Sequence, residues 1–311
     1  MINEILDKII EYDKITIFRH QRPDGDAMFS AYALYLFLKD NFKNKTIKVA
    51  GFDKFDLVNK ADKISDNFIK ESLVIVLDTA TVNRVDDERF SQASYIIKID
   101  HHPPLDRYGD LNYEVTCGAT AEIVGDMLLS NCFKGYKISK KVCEYLYCGI
   151  LTDTLNFKTN STTPNTLTIA SKLAEYGNLN VSKLSSLCFE KSLDDFYFET
   201  LLRNKLVVKD KFGYILLKQR DLNALNCTSD KAKLFVECIG AIKDLNIWGI
   251  IAYNKETKGY DASLRSKSGY TINTLAEKYG GGGHKCAVGL KSLNIQLVEE
   301  IIEKLAYISK K

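Results

Sequence analysis

The chain has 311 residues, room for two ordinary domains, with 45% hydrophobic and 27% charged residues and a formal net charge of +3. These are the proportions of a globular protein, and the charge is too small to demand a polyanionic partner, so any nucleic-acid recognition must come from a local site. No run of about 20 uncharged apolar residues occurs, which argues against a membrane span. The N-terminal stretch MINEILDKIIEYDK reads as an amphipathic helix rather than a secretory leader. Eight cysteines lie scattered, mostly among apolar neighbours and without a CxxC pair. That pattern suggests buried, reduced thiols in a cytoplasmic protein rather than a zinc knuckle or a thioredoxin-like site.

In chain order, the first half alternates short β-rich runs with helical patterns. Residues 16–19 (TIFR), 47–52 (IKVAGF), 73–77 (LVIVL) and 95–99 (YIIKI) are predicted as buried strands, and apolar residues recur at helical spacing over 27–39. Near-continuous apolar strands alternating with helices imply a parallel sheet covered on both faces. This is a doubly wound α/β domain, whose ligands gather at the carboxyl ends of the strands. Further helices are predicted over 121–130, 140–151 and 166–176, the last closed by Gly177-Asn178 as a C-cap. A linking helix is expected over 181–206, where LDDFYFETLLRNKL is strongly amphipathic. From about residue 207 the texture changes to antiparallel-like strands at 214–218, 247–253 and 260–265, then a helix over 272–279, a glycine run and a final helix near 296–307. The expected organisation is a first domain over 1–180, a helical linker over 181–206 and a smaller α+β domain over 207–311.

The four histidines, His20, His101, His102 and His284, all fall beside aspartates or glycines at strand ends or in loops. His20 follows the first strand and opens HQRPDGD, where Pro23 and Gly25 break regular structure and present Asp24 and Asp26 from one tight loop. Alternate residues of an extended segment point opposite ways, so the two carboxylates can serve two neighbouring cations; the alternative is an acidic turn that caps the following helix. Asp78 closes the strand LVIVL, where a metal could offset the burial of a carboxylate, with a helix cap before Ala80 as the alternative. Asp100-His101-His102 ends the next strand and is stopped by Pro103-Pro104. One imidazole there can bind metal while the other faces substrate, with Asp100 orienting a ring through its second nitrogen. Asp153, near the end of a helical pattern, is a weaker signal by itself.

The combination of strand–HxxxDxD, strand–D, strand–DHH and a later aspartate, in that order, resembles the DHH phosphoesterase family. The second half adds Ser263-Leu264-Arg265-Ser266, the run Gly280-Gly281-Gly282-Gly283-His284 and Cys286-Ala287-Val288-Gly289, which resemble the DHH-associated domain. Within the family the chain looks most like the bacterial nanoRNase and 3′-phosphoadenosine 5′-phosphate phosphatase group. Arg22 departs from the asparagine usual before Pro-Asp-Gly-Asp, and Met28-Phe29 stand where small residues are usual, which leaves the ligand positions intact.

Carried over by position, the resemblance implies that His20, Asp24 and Asp78 hold one ion. Asp26, Asp78, His101 and Asp153 then hold a second, with Asp78 bridging and His102 facing the scissile phosphate. It implies two divalent cations, manganese before magnesium because imidazole is present on both ions, and hydroxide formed between them attacking phosphorus. In the second domain, Arg265 and Ser266 are expected to grip a terminal phosphate. Gly281, Gly282 and Gly283, lacking side chains, would let backbone N–H groups approach an anion beside His284. The expected substrates are short RNA oligonucleotides or phosphorylated adenine nucleotides, and the family implies a homodimer. The alternatives are hydrolysis of a cyclic or linear dinucleotide at the same metal site, and a nucleotide sensor without catalysis. SLRS with GGGGH argues against a manganese-type pyrophosphatase, whose second domain uses a lysine- and arginine-rich motif.

Overall fold

The computed structural model describes residues 1–51 and 61–311. The chain divides into two units, Met1–Glu190 and Lys191–Lys311, a division that falls inside the segment expected as one linking helix. In the first unit the elements run α1 (Ile2–Glu11), β1 (Lys14–Phe18), α2 (Gly25–Asn41), β2 (Thr46–Val49), α3 (Asp66–Lys70), β3 (Leu73–Leu77), β4 (Tyr95–Asp100) and β5 (Leu111–Glu114). Helices α4 (Thr120–Leu129), α5 (Lys140–Asp153), α6 (Pro164–Tyr176) and α7 (Val181–Phe189) complete it. The strand expected over 47–52 forms only as β2, and its last residue, Phe52, lies outside the described residues.

The five strands pair in the order β2-β1-β3-β4-β5, all parallel, as the apolar runs predicted. Period-two alternation divides their side chains between two cores. Ile15, Ile17, Leu73, Ile75, Leu77, Ile97 and Ile99 pack into the larger core with α2, α4 and α5. Phe18, Val74, Val76 and Ile96 face a smaller core closed by Ile69, Val85 and Phe90. Helix α2 is buried from Gly25 through Leu34, as a helix covered by the sheet on one side and α5 on the other must be. Thr163 and Thr166 form a capping box with Pro164 in the first turn of α6, and at its far end the left-handed residue is Asn178 (φ 45°), not Gly177.

The second unit begins with α8 (Leu193–Arg203), which Ser192 caps by accepting from Asp195 N. This cap explains why residues 181–206 form two helices: α7 adds Leu184 to the first core, while α8 adds Phe198 and Leu202 to a core of the second unit. The remaining elements are β6 (Leu206–Lys209), β7 (Phe212–Leu217), α9 (Gln219–Ala224), α10 (Ser229–Leu234), β8 (Ile247–Asn254), β9 (Gly259–Ser266), α11 (Asn273–Lys278), β10 (Gly282–His284), β11 (Ala287–Leu293) and α12 (Ile295–Ser309). Their sheet runs β10-β11-β9-β8-β7-β6 and is mixed. The β7–β8 pair is parallel, made possible by the long crossover through α9 and α10, and the other pairs are antiparallel. Among the described residues, no helix is long and apolar enough to cross a membrane.

Phe37, fully buried in α2, meets Phe133 edge-on at 5.6 Å between ring centroids and Tyr136 at 6.1 Å. Phe37→Ala is expected to cost about 3–5 kcal/mol, seen as a lower urea midpoint without a changed slope.

Candidate metal centre

Strand order reverses between β1 and β3, with β2 on one side and β4 and β5 on the other. A doubly wound sheet opens a crevice there, at the carboxyl ends of its strands. The sequence places charge at these ends. His20 follows β1, bridging to Val85, and Asp24 caps α2 by accepting from Ala27 N at 3.1 Å. Asp26 lies in the first turn of α2, 1% exposed. Asp78 follows β3 and is 2% exposed. Its φ of 53° turns the chain out of the sheet, in the left-handed region that aspartate tolerates better than most residues. His101 and His102 follow β4, and Asp153 ends α5.

These side chains converge. His20 Nε2 lies 3.5 Å from Asp78 Oδ2 and 3.8 Å from Asp24 Oδ2. His101 Nε2 lies 3.4 Å from Asp78 Oδ1 and 3.5 Å from Asp153 Oδ2. Three trios, His20 with Asp24 and Asp78, Asp26 with His101 and Asp153, and Asp78 with His101 and His102, each bring their ligand atoms within 4.8 Å of one another.

Backbone carbonyls orient two of the rings. His20 Nδ1 sits 2.8 Å from Gln21 O, and His101 Nδ1 sits 3.2 Å from Cys117 O. A carbonyl only accepts, so Nδ1 carries a proton, and Nε2 is the nitrogen turned toward the carboxylates, where a cation would take the place of its proton. Arg84 Nη2 approaches His20 Nδ1 at 3.4 Å, a longer contact that the carbonyl bond outweighs. His102 is turned differently: its Nδ1 donates to Asp100 Oδ1 at 2.7 Å, leaving Nε2 on the far side of the ring.

Burial and mutual repulsion make the centre short of positive charge. Burial acts to raise Asp78, but hydrogen bonds from His101 and His20 hold it well below the usual carboxylate range. Burial pushes Asp26 well up, with the charges of Asp78 and Asp153 adding to it. Burial likewise pushes Asp153 up to about 7, against the pull of His101. His20 rises to about 10 despite burial, because Asp24 and Asp78 surround it. Carboxylates that raise one another in this way, with imidazole Nε2 atoms aimed among them, fit hard divalent cations, which would take the place of the imidazole protons. The Cys117 thiol is pushed far up by burial, so it stays protonated and adds no thiolate to the donor set.

Several supporting residues carried no motif in the sequence. The start of α4 clamps the centre: Thr120 N and Ala121 N donate to Asp26 at 2.6 and 2.9 Å, and Thr120 Oγ1 donates to Asp78 at 3.1 Å. Buried Glu122 steadies this turn by accepting from Gly118 N at 3.0 Å and Asn165 Nδ2 at 2.8 Å. Gly149 admits the close approach of α4 and α5, since a Cβ there would stand 2.5 Å from Ala121 Cβ and 3.0 Å from Asp26 Oδ1. Only Lys98 gave a signal, as a charge inside the apolar strand YIIKID, where it is fully buried.

In the second unit, the expected glycine loop is largely a strand. Gly282, Gly283 and His284 form β10, which pairs with β11 across a turn at Lys285 and Cys286. The hairpin itself uses the missing side chains: a Cβ on Gly281 would meet Gly289 O at 2.4 Å, and one on Gly283 (φ 139°) would meet Ala287 O at 2.2 Å. The register sets His284, Ala287, Arg265 and Trp248 in one row across four strands. Arg265 Nη1 donates to Ser263 Oγ at 3.3 Å and Leu264 O at 3.0 Å, while Nε faces Glu237 at 3.3 Å. Ser266, the next residue on β9, points to the opposite side, where its hydroxyl donates to Tyr270 O. The serine sharing a face with Arg265 is therefore Ser263.

Residues 14–150 match the DHH family, N-terminal domain, and residues 221–311 match the DHHA1 domain. The chain is 36% identical to a probable bifunctional oligoribonuclease and PAP phosphatase of Streptococcus mutans, over 97% of this chain and 96% of that protein. It is 30% identical to the bifunctional oligoribonuclease and PAP phosphatase of Bacillus subtilis, over 100% and 99% of the two. The crystal structure of an exopolyphosphatase-related protein from Bacteroides fragilis shares the fold, with a TM-score of 0.87 at 23% identity over 100% of this chain and 97% of that one. Two domain matches in the order the fold presents them, and relatives spanning the chain from end to end, show that it belongs to the DHH family and carries a DHHA1 domain.

Proposed function

We propose that this chain is a divalent-cation-dependent phosphoesterase that hydrolyses short oligoribonucleotides to mononucleotides and 3′-phosphoadenosine 5′-phosphate to AMP. The observation that carries the reading is the meeting of His20, Asp24, Asp26, Asp78, His101 and Asp153 at the switch point of the sheet. Full-length relatives named for both activities support the substrates. His20, Asp24 and Asp78 would hold one cation, and Asp26, Asp78, His101 and Asp153 the other, with Asp78 shared. Bound there, divalent cations supply positive charge to a phosphoryl group and acidify water. Manganese as the ion, a homodimeric state and a cytoplasmic setting belong to this reading as the resemblance implies them; the free state of all eight cysteines suits that setting.

The protein's own groups then divide the work. Asp78 anchors both sets, and Thr120 holds it in place. Asp100 keeps the Nδ1 proton of His102 engaged, so that His102 Nε2 can donate to a phosphoryl or leaving-group oxygen. In the second unit, Arg265 and the edge of β10, with Gly281, Gly282, Gly283 and His284, would bind substrate phosphate. Ser266 would act there only through the Tyr270 turn that it holds.

With manganese, the protein is expected to hydrolyse di- to pentaribonucleotides and 3′-phosphoadenosine 5′-phosphate faster than cyclic di-adenylate or pyrophosphate, in side-by-side initial rates. A clear preference for the cyclic dinucleotide would move the assignment to a signalling phosphodiesterase. Intact manganese binding without turnover of any phosphoester would make the chain a sensor. Asp78→Ala is expected to lower kcat by roughly a hundredfold or more, measured on a dinucleotide. Thr120→Val, which removes one hydrogen bond to Asp78, is expected to weaken manganese affinity about 10–100-fold in calorimetry while the fold persists.

A further inference from the structure

Lys98 stands in the middle of β4, between Ile97 and Ile99, and is 0% exposed. A buried ammonium is costly unless every donor is used and its charge is matched. Here its three hydrogens go to Ala80 O at 3.1 Å, Asp106 O at 2.9 Å and Glu114 Oε1 at 2.8 Å. Its charge faces Asp100 Oδ2 at 3.5 Å, on the same side of the strand two residues on. Tyr108 closes the compartment, its ring centroid 5.0 Å from Nζ.

Asp100 is 0% exposed and uses its two oxygens unequally. Oδ1 accepts from His102 Nδ1 at 2.7 Å and His102 N at 3.3 Å. Oδ2 is buried without a hydrogen bond among the described residues, and Lys98 is the cation set against it. Glu114 is the register partner of Asp100 on β5, so two buried carboxylates stand side by side. Arg107 Nε meets the other oxygen of Glu114 at 3.2 Å from the exposed side, so Lys98 is what stands between the two carboxylates. Without it they repel, and a rotation of Asp100 that relieves the repulsion breaks its bond to His102.

We propose that Lys98 is a positioning residue for hydrolysis: it clamps Asp100 between Glu114 and His102 and so fixes the direction in which His102 Nε2 points. The inference rests on the role given to His102 above. Lys98 touches no substrate and belongs to neither cation set. Its effect passes through Asp100 to one imidazole.

The test is a double-mutant cycle on the full-length protein with manganese and a diribonucleotide substrate. Lys98→Met is expected to lower kcat roughly 10–100-fold with KM unchanged, and to leave manganese affinity by calorimetry as in the wild type. In a His102→Ala background the same substitution is expected to have no further effect on kcat, because the group it positions is gone. Lys98→Arg, which keeps the charge, is expected to recover most of the lost rate. Equal losses in both backgrounds, or a fall in manganese affinity that accounts for the loss, would overturn the proposal. If K98M does not fold, K98Q, which keeps two N–H donors without the charge, goes through the same cycle and is read the same way. A His102→Ala rate equal to wild type, or a wild type inactive on every phosphoester, would remove the reading of the site and this inference with it. Equal losses in the two backgrounds remove the inference about Lys98 alone.

Discussion

Asp78 sets the terms for the first unit. It ends the fully buried strand β3 with a negative charge that is 2% exposed, and a carboxylate so placed is tolerable only with compensation close by. The fold supplies part of that compensation from three separate segments: His20 after β1, His101 after β4 and Thr120 at the start of α4. It then adds more carboxylates, Asp26 and Asp153, which raise the demand for positive charge beyond what the imidazoles meet. Such an arrangement has little use as structure alone, since an apolar cluster would bury more cheaply. It suits cation binding.

The surrounding scaffold makes that concentration of charge rigid. Backbone carbonyls at Gln21 and Cys117 fix two imidazoles, and backbone N–H groups at the N-terminus of α4 hold Asp26. A helix N-terminus favours negative charge, which partly offsets the burial of that carboxylate. The same turn of chain, from Cys117 to Ala121, thus touches His101, Asp26 and Asp78. Gly149 lets α5 approach closely enough for this turn to reach α2.

The sequence made the first unit legible because its strands are apolar runs of the right length, and because each charged motif directly follows one. His20, Asp78 and His101 were visible as interruptions of that pattern. Thr120 and Gly149 were not: a threonine at a helix start and a glycine inside a helix have ordinary local explanations, and their roles arise only from packing between α2, α4 and α5. In the second unit the glycines have a structural use that the sequence did not announce: Gly281 and Gly283 let the backbones of β10 and β11 approach each other. Arg265 and Ser266 are adjacent on β9 and face opposite sides of the sheet, an alternation that the reading of SLRS as one unit did not take into account. Strand β5 and the short helices α3, α9 and α10 escaped because segments of four to six residues carry too little periodicity to stand out.

The proposed ligand positions run from His20 to Asp153, within a first unit that runs from Met1 to Glu190. A parallel sheet cannot close its pairings locally, and the β1–β3 ladder alone joins residues more than fifty positions apart. On the ribosome, an emerging chain therefore has no complete cage until α5 has left the exit tunnel and docked. Incomplete or stalled products carry the acidic motifs without the helix that completes the cluster, so on the proposed reading cation binding, and the hydrolysis that depends on it, waits until synthesis has passed Asp153.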